Sequence, residues 1–277
     1  MLRGCQASAR GGPLFEQAKI AVIVPCYNES RLVGRMLRRL PEWIDIIVVV
    51  DDASRDSTAD AITAVGDPRI RFVQHAINQG VGAAIRTGYL AALEQQADIL
   101  VVMAGDDQMD PADLPALLAP IVSFTAEYVK GNRFIHRDVG AMPIMRRLGG
   151  ALLSYVTRIA SGLRVDDSQC GYTALASLAV NHLPLADLWP RFGYPNDLLL
   201  LLAARGQRVV EVPVRPVYAD EKSGLRPWHI LQILGVILRR FGREPNLRAS
   251  RLLLRAPMKT LHAQRSLSPM AARRDSA

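Results

Sequence analysis

No run of eighteen apolar residues occurs in this chain, so no helix long enough to cross a bilayer is expected. Cysteine is scarce. Cys5, Cys26 and Cys170 are odd in number and form no Cys-x-x-Cys pair, which excludes a disulfide framework or zinc finger and points to a reducing compartment. The first residues carry two arginines and several small residues without an apolar run, so a secretory signal is not expected. Aromatics make up only 6% and form no ladder interleaved with basic residues, so no nucleic-acid partner is expected. Repeats and low-complexity blocks are missing ahead of the C-terminal tail. What remains, 277 residues with 49% hydrophobic and 22% charged content, is the composition of a globular chain with a core, one large domain or two small ones.

The charge is unevenly spread. Of a formal net charge of +8, all lies from Arg239 onward, where ten Lys or Arg residues meet two acids. Such a tail is drawn to anionic surfaces, and an anionic membrane is the partner it suggests. The last part of the tail also reads as solvated and disordered.

The densest chemistry is Met103-Ala-Gly-Asp-Asp-Gln-Met-Asp-Pro111, which follows the apolar run Ile99-Leu-Val-Val102. Asp106, Asp107, Gln108 and Asp110 crowd together where a buried parallel strand would end. Carboxylates at that density repel, and a magnesium or manganese ion, which takes hard oxygen ligands, would relieve them. A strand end so equipped suits a nucleoside diphosphate. The segment also reads as an acidic turn capping a helix at Asp110-Pro111, and its company has to decide.

That company is regular. Residues 20–24 read as a strand stopped by Pro25, and 30–40 as a helix with Leu32, Val33, Met36, Leu37 and Leu40 on one face. A strand over 44–50 ends at Asp51-Asp52. A helix capped by Asp56 or Ser57 runs to Val65. Residues 70–74 form a short strand, Asn78-Gln-Gly-Val-Gly82 opens a helix over 83–95, and 99–103 is a strand. The order βαβαβαβ, in strands without polar alternation, predicts an α/β protein with a parallel sheet covered on both faces. Four polar strand ends should then line one crevice. A dinucleotide-binding dehydrogenase is a poor fit, because the 78–82 glycines lack the Gly-x-Gly-x-x-Gly spacing and follow the third strand. The second half is less regular. Strands are expected over 128–133 and 209–214, and helices over 145–163, 197–205 and 227–241. In the 145–163 helix, Met145, Leu148, Leu152, Val156 and Ile159 share one face; Arg147, Ala151, Ser154, Arg158 and Ser161 share the other. The 227–241 helix is apolar with a thin polar edge of His229, Gln232 and Arg239.

The motifs PCYNES, VVVDDASRDST, NQGVGAAIRTG and MAGDDQMDP, in that order, resemble those of the inverting family 2 glycosyltransferases of the GT-A fold. They are most similar to the dolichol-phosphate mannosyltransferase branch, which moves a sugar from a nucleotide to a polyprenyl phosphate. The resemblance spans residues 18–226. It implies a mostly parallel nucleotide-binding sheet flanked by helices, preceded by an extension (1–17) and followed by an amphipathic helix (227–242) and a basic tail (243–277). It implies that Pro25, Tyr27, Asn28 and Glu29 line the base and ribose pocket of a UDP- or GDP-sugar. Asp51, with Asp52 beside it, would grip base or ribose, while Arg86 and the loop from Gly80 would seat the nucleotide. Asp106 and Gln108 would hold Mg2+ or Mn2+ across the two phosphates. One position departs from the pattern: Ala104 stands where the family carries an aspartate. Asp107 or Asp110 could compensate, or the metal could hold more water.

The resemblance continues into the second half. Gly131-Asn-Arg133 matches a Gly-x-Arg whose arginine faces phosphate. Arg147 matches an acceptor-phosphate arginine, which makes the Arg147, Ser154, Arg158 stripe an anion track. Asp166-Asp-Ser-Gln-Cys-Gly-Tyr172 puts Asp167 at a family aspartate. Asp197 falls where relatives hold an acid near the acceptor, and Lys222 falls in a loop that meets the diphosphate. A polyprenyl (undecaprenyl or dolichyl) phosphate acceptor is already ionised and needs no base, leaving catalysis to positioning and charge. A hydroxyl acceptor would need Asp167 or Asp197 to take a proton. A third reading, prompted by Ala104, is a nucleotide-sugar-binding protein with weak turnover. A lipid acceptor implies a protein peripheral to the inner, cytoplasmic face of the membrane, with Trp228 at the headgroups; the same helix also reads as one packed on the catalytic core. The sequence decides neither the sugar nor whether the chain forms a homo-oligomer.

Overall fold

Four stretches rich in Ile, Val and Leu build half of the sheet: β1 (Ile20–Cys26), β2 (Ile46–Asp51), β3 (Ile70–Gln74) and β4 (Ile99–Val102). Branching at Cβ suits a pleated backbone. β1, β2 and β4 are buried along their whole length, as strands covered on both faces must be; β3, at the edge, is partly exposed. The computed structural model describes residues 18–217 and 227–247. Lys222, the 1–17 extension and the tail beyond Leu247 lie outside the described residues.

The helices α1 (Val33–Arg38), α2 (Thr58–Thr63) and α3 (Val81–Glu94) connect these strands, which all pair in parallel. The chain then adds α4 (Leu114–Val122), β5 (Tyr128–Asn132), α5 (Ile144–Ser161), β6 (Thr173–Ala176), α6 (Ser177–Val180), α7 (Tyr194–Ala204), β7 (Val209–Pro213) and α8 (Pro227–Arg243). The sheet order is β3-β2-β1-β4-β6-β5-β7. β6 runs antiparallel to both β4 and β5, and β7 is parallel to β5. Two reversals restore direction, so β5 and β7 point the same way as β1 to β4. Their carboxyl ends, and the turn leading into β6, therefore share one edge with the four polar motifs. β6 is absent from the sequence reading, because four residues, Thr173-Ala-Leu-Ala176, are too few to show a period.

Alternate residues of β1 serve opposite faces of the sheet. Val22 and Val24 pack with α1 and α4, whereas Ala21 and Ile23 pack with α3 and α7. α7 is buried all round, its Leu198 to Leu202 divided between the sheet and a third cluster shared with α5 and α8.

α5 is turned inside out. Its inward face is Leu153, Ser154, Thr157 and Ala160, while Met145, Leu148, Leu152 and Ile159 face outward. The cause is a polar network beneath it. The Ser168 amide donates to Ser154 Oγ (2.8 Å), and Asn196 Nδ2 donates to Thr157 Oγ1 (2.7 Å). Gln169 Nε2 donates to Asn196 Oδ1 (3.0 Å). Buried polar groups need partners, and the α5 hydroxyls supply them. α8 packs Ile233, Val236 and Ile237 inward. Among the described residues no helix is long and apolar enough to cross a membrane.

Candidate functional site

The turns after β1 and β2 are tied together. Cys26 pairs with Asp51 in register. Asn28, at φ 59°, accepts from the Arg55 amide (2.8 Å) and donates its own amide to Ser54 Oγ (2.9 Å). The Glu29 amide donates to Thr58 Oγ1 (2.8 Å). Tyr27 and Asn28 are exposed and Glu29 is half-buried, while Pro25 lies inside the strand. Asp51 is fully buried and accepts from Ser54 and from Gln74 Nε2 (2.9 Å). Asp52 accepts from His75 Nδ1 (2.7 Å) and from the amides of Gln79 (2.8 Å) and Gly80 (2.7 Å). The Asp52 carboxylate thus gathers the loop after β3, and His75, which the sequence did not single out, fixes its orientation with a second contact to Thr87 Oγ1 (3.0 Å).

The glycines of that loop answer to packing. Gly80 has φ 101°, and a Cβ there would sit 2.5 Å from the Pro190 carbonyl oxygen; one on Gly82 would overlap the Trp189 carbonyl. Arg86 Nη1 donates to the Ala186 carbonyl (3.3 Å). Contacts with residues 186–191 thus account for Gly80 and Arg86 in this structure.

In the acidic loop after β4 the four polar residues divide into two pairs. Both oxygens of buried Asp107 are taken, by Arg35 Nε (2.6 Å) and Arg39 Nη1 (2.7 Å). These arginines stand one helical turn apart, within α1 and just past its end. Asp110 accepts from Arg39 (3.2 Å) and from the Ala112 amide (3.1 Å), capping the next turn. Asp107 and Asp110, the two candidates to replace the aspartate absent at Ala104, are thus both held by protein donors. Asp106 and Gln108 are half-buried, and the Gln108 amide donates to Asp106 Oδ1 (3.1 Å). Among the described residues no group of three or more His, Cys, Asp or Glu is arranged to hold a metal. One carboxylate and one amide oxygen still suit a magnesium-type ion that draws its other ligands from diphosphate and water. The electrostatics agree. The Cys26 thiol is pushed well up, by burial first and then by the charges of Glu29, Asp51 and Asp106. Carboxylates from three strand ends thus act on one point. A Cβ on Gly105 would lie 2.6 Å from Cys26 Sγ, so the two ends touch there.

Antiparallel β6 brings the second-half motifs to this edge. Tyr172 donates its hydroxyl to the Asp110 carbonyl (3.0 Å), and a Cβ on Gly171 would sit 3.2 Å from Met109. Arg133, just past β5, grips Asp167 through Nε (2.7 Å) and Nη2 (2.9 Å), and its amide donates to the same carboxylate (3.1 Å). Asp167 is 0% exposed. Burial raises its carboxyl, but the bonds and charge of Arg133 outweigh that and hold it below the ordinary range. Beneath it, fully buried Lys130 donates Nζ to the Cys170 carbonyl, and burial lowers the ammonium. Glu211 accepts from the amides of Asp166 (2.9 Å) and Asp167 (2.8 Å) and is raised by burial.

Asp197 sits buried in the first turn of α7. It is paired with Arg240 Nε (2.7 Å) and Nη2 (2.8 Å) and accepts from the Trp189 amide (2.8 Å). It anchors α8 to α7 and to the 189 segment. On the α5 stripe, Ser154 is buried, Arg158 pairs with Asp166 (2.8 Å), and Arg147 is exposed in the first turn.

Residues 21–162 match the family model described as glycosyl transferase family 2. The chain is 32% identical over 206 residues to an undecaprenyl-phosphate mannosyltransferase of Micrococcus luteus, covering 71% of this chain and 82% of that one. It is 28% identical over 217 residues to a UDP-N-acetylglucosamine–dolichyl-phosphate N-acetylglucosaminyltransferase of Methanococcus voltae, covering 73% and 86%. Among solved structures it resembles glucosyl-3-phosphoglycerate synthase of Mycobacterium tuberculosis bound to UDP, at 20% identity and a TM-score of 0.65, with 87% of each chain covered. The same enzyme has been solved with Mn2+, UDP-glucose and phosphoglyceric acid (TM-score 0.63, 21% identity, 83% of this chain and 82% of that one).

Proposed function

The chain belongs to glycosyl transferase family 2, and from that premise we propose that this glycosyltransferase moves a sugar from a UDP- or GDP-sugar to a polyprenyl phosphate at the cytoplasmic face of a membrane. One observation carries the acceptor class. The two carboxylates nominated as bases, Asp167 and Asp197, are both buried and held by arginines. A hydroxyl acceptor needs a base within reach; a phosphate oxygen is already ionised. The relatives named for dolichyl and undecaprenyl phosphate support the same reading.

In this reading the acceptor phosphate oxygen attacks the anomeric carbon from the side opposite the nucleotide. The new oxygen–carbon bond forms as the bond to the nucleoside diphosphate breaks, which inverts the configuration. Tyr27, Asn28 and Glu29 flank the nucleoside, while Asp51 and Asp52 hold the turns around it in shape. Asp106 and Gln108 would hold Mg2+ or Mn2+, which supplies Lewis-acid stabilisation of the leaving diphosphate. The Arg35–Asp107–Arg39 clasp fixes the loop that presents them. Asp167 orients Arg133, whose guanidinium stands at the edge where the acceptor phosphate must arrive; Arg147 adds positive charge at the start of α5.

The test is incubation of purified protein with UDP-glucose, UDP-N-acetylglucosamine or GDP-mannose, a divalent metal and a short polyprenyl phosphate, with the glycolipid read by mass spectrometry. A glycosyl phosphodiester with at least one donor is expected. Transfer only to hydroxyl lipids or saccharides would overturn the acceptor assignment.

A further inference from the structure

Resting on the reading that Arg133 meets the acceptor phosphate, we infer that Glu211, in β7, is a positioning residue for that arginine and sets how well the acceptor is used. The first observation is how Arg133 is oriented. It lies one residue past β5, and its Nε (2.7 Å) and Nη2 (2.9 Å) both end on Asp167. Two bonds to one carboxylate fix the plane of a guanidinium. Asp167 therefore decides where that charge points, and whatever holds Asp167 decides it at one remove.

The second observation is that Asp167 belongs to no strand or helix. It sits in the stretch between α5 and β6, so no ladder satisfies its backbone. Glu211 does so instead. Its Oε1 accepts from the Asp167 amide (2.8 Å), and its Oε2 accepts from the Asp166 amide (2.9 Å) and from Asn132 Nδ2 (2.8 Å). All three partners are donors, which suits an ionised carboxylate and not a side-chain amide. Turning the Asn132 amide round would break the bond that its Oδ1 accepts from the Phe134 amide (2.8 Å). One carboxylate thus grips both the residue before Arg133 and the residue that holds Arg133.

The third observation is register. Glu211 pairs with Lys130 across β7 and β5. Lys130 is fully buried and donates Nζ to the Cys170 carbonyl, while the Cys170 amide donates to Asp167 Oδ1 (3.1 Å). The two paired residues therefore hold the two ends of the 166–170 turn, Glu211 by its amides and Lys130 by its last carbonyl. Arg133 and Lys130 balance Asp167 and Glu211 in charge, as buried charges require. Both oxygens of Glu211 end on protein donors, so it acts on the acceptor through the turn and not by touching it.

The experiment compares Glu211→Gln with the parent in the full chain. The substitution turns an NH2 group toward an N–H donor. Glu127→Gln is the control. It makes the same change at the other end of the same two strands, where Glu127 accepts from the Arg208 amide (2.7 Å). In transfer to a short polyprenyl phosphate, kcat/KM for the acceptor should fall on the order of tenfold in Glu211→Gln. KM for the nucleotide-sugar should not change, and the control should match the parent. In an Arg133→Gln background the Glu211 substitution should cost less than about twofold, since it acts through that arginine. Equal losses toward donor and acceptor, or full additivity with Arg133→Gln, would overturn the inference. If Glu211→Gln melts too low to assay, Glu211→Asp takes its place, with the same pattern expected, because it draws the charge back by one methylene. Hydrogen exchange of the peptide over residues 163–172, measured without substrate, separates the two readings. It should quicken in Glu211→Gln and not in the control, and unchanged exchange overturns the inference. A parent that transfers nothing to polyprenyl phosphate, with exchange quickened as expected in the variant, refutes the transfer reading and leaves the tie from Glu211 to Arg133 standing.

Discussion

The Arg240–Asp197 pair offers a demanding test of how the catalytic domain and its last helix are joined. The two side chains are 4% and 2% exposed. Arg240 reaches Asp197 through two bonds of 2.7 and 2.8 Å and spends a third on the Asp187 carbonyl (2.7 Å). Replacing Arg240 with Met keeps most of the side-chain volume and removes all three. Asp197 is left buried with one backbone donor, the Trp189 amide. Breaking a buried pair by removing one partner costs about 3–5 kcal/mol, because the other charge stays behind. For a chain of this length each kcal/mol moves the melting point roughly 2–4 °C, so a drop of about 10 °C is expected in thermal and urea unfolding. The double variant Asp197→Leu/Arg240→Met removes both charges and should recover most of the loss, which a double-mutant cycle quantifies. It also separates structure from chemistry: the folded double variant should keep transfer activity within about threefold, since Asp197 is assigned an anchoring role. An Arg240→Met variant within about 1 kcal/mol of the parent would refute the reasoning, and so would a folded double variant that is inactive.

Other consequences are open to measurement. Asp106→Asn should lower transfer by roughly 10²–10³-fold and raise the metal concentration needed for half-maximal rate, whereas Asp107→Asn should shift the metal requirement less and cost only about 1–2 kcal/mol, because its arginine partners are largely exposed. Asp167 has a lowered folded carboxyl, so its contribution is complete above the unfolded value of about 3.9 and is lost as pH falls through the lowered folded one. Melting points followed from pH 5 to acid should fall less steeply in Asp167→Asn than in the parent, and identical slopes would contradict the assignment. Gly82→Ala drives a methyl into the Trp189 carbonyl and should destabilise by about 3 kcal/mol or prevent folding, while Gly140→Ala, with open space around it, should melt like the parent.

Much of the donor half was readable in one dimension. β3 runs over Ile70–Gln74 as read, and β1, β2 and β4 agree with the reading within two residues at each end. Long apolar strands carry a strong signal, and polar residues at their ends follow from parallel direction alone. Local charge density marked the 106–110 segment, and the resemblance singled out Asp106 and Gln108 within it. The roles of Asp51, Asp52, Gly80 and Arg86 were less legible: each is set by residues distant in sequence, such as Gln74, the Gly80 amide, Pro190 and Ala186. The pair Arg35 and Arg39 did carry a signal, their one-turn spacing, but nothing local says that Asp107 is their target.

Local sequence thus determined the family motifs, the strand-and-helix alternation and the crowding of acids after β4, because those depend on residue type and short-range period. Tertiary structure alone decided which way round α5 lies. Its hydrophobic period predicts two faces but not which is inside, and the buried Ser168–Asn196 network settled that against the apolar side. It also decided that Asp167 and Asp197 are arginine-bound and sealed from water, since desolvation and ion pairing belong to neighbours that the chain brings together only when β6 turns back between β4 and β5 and α8 closes over α7.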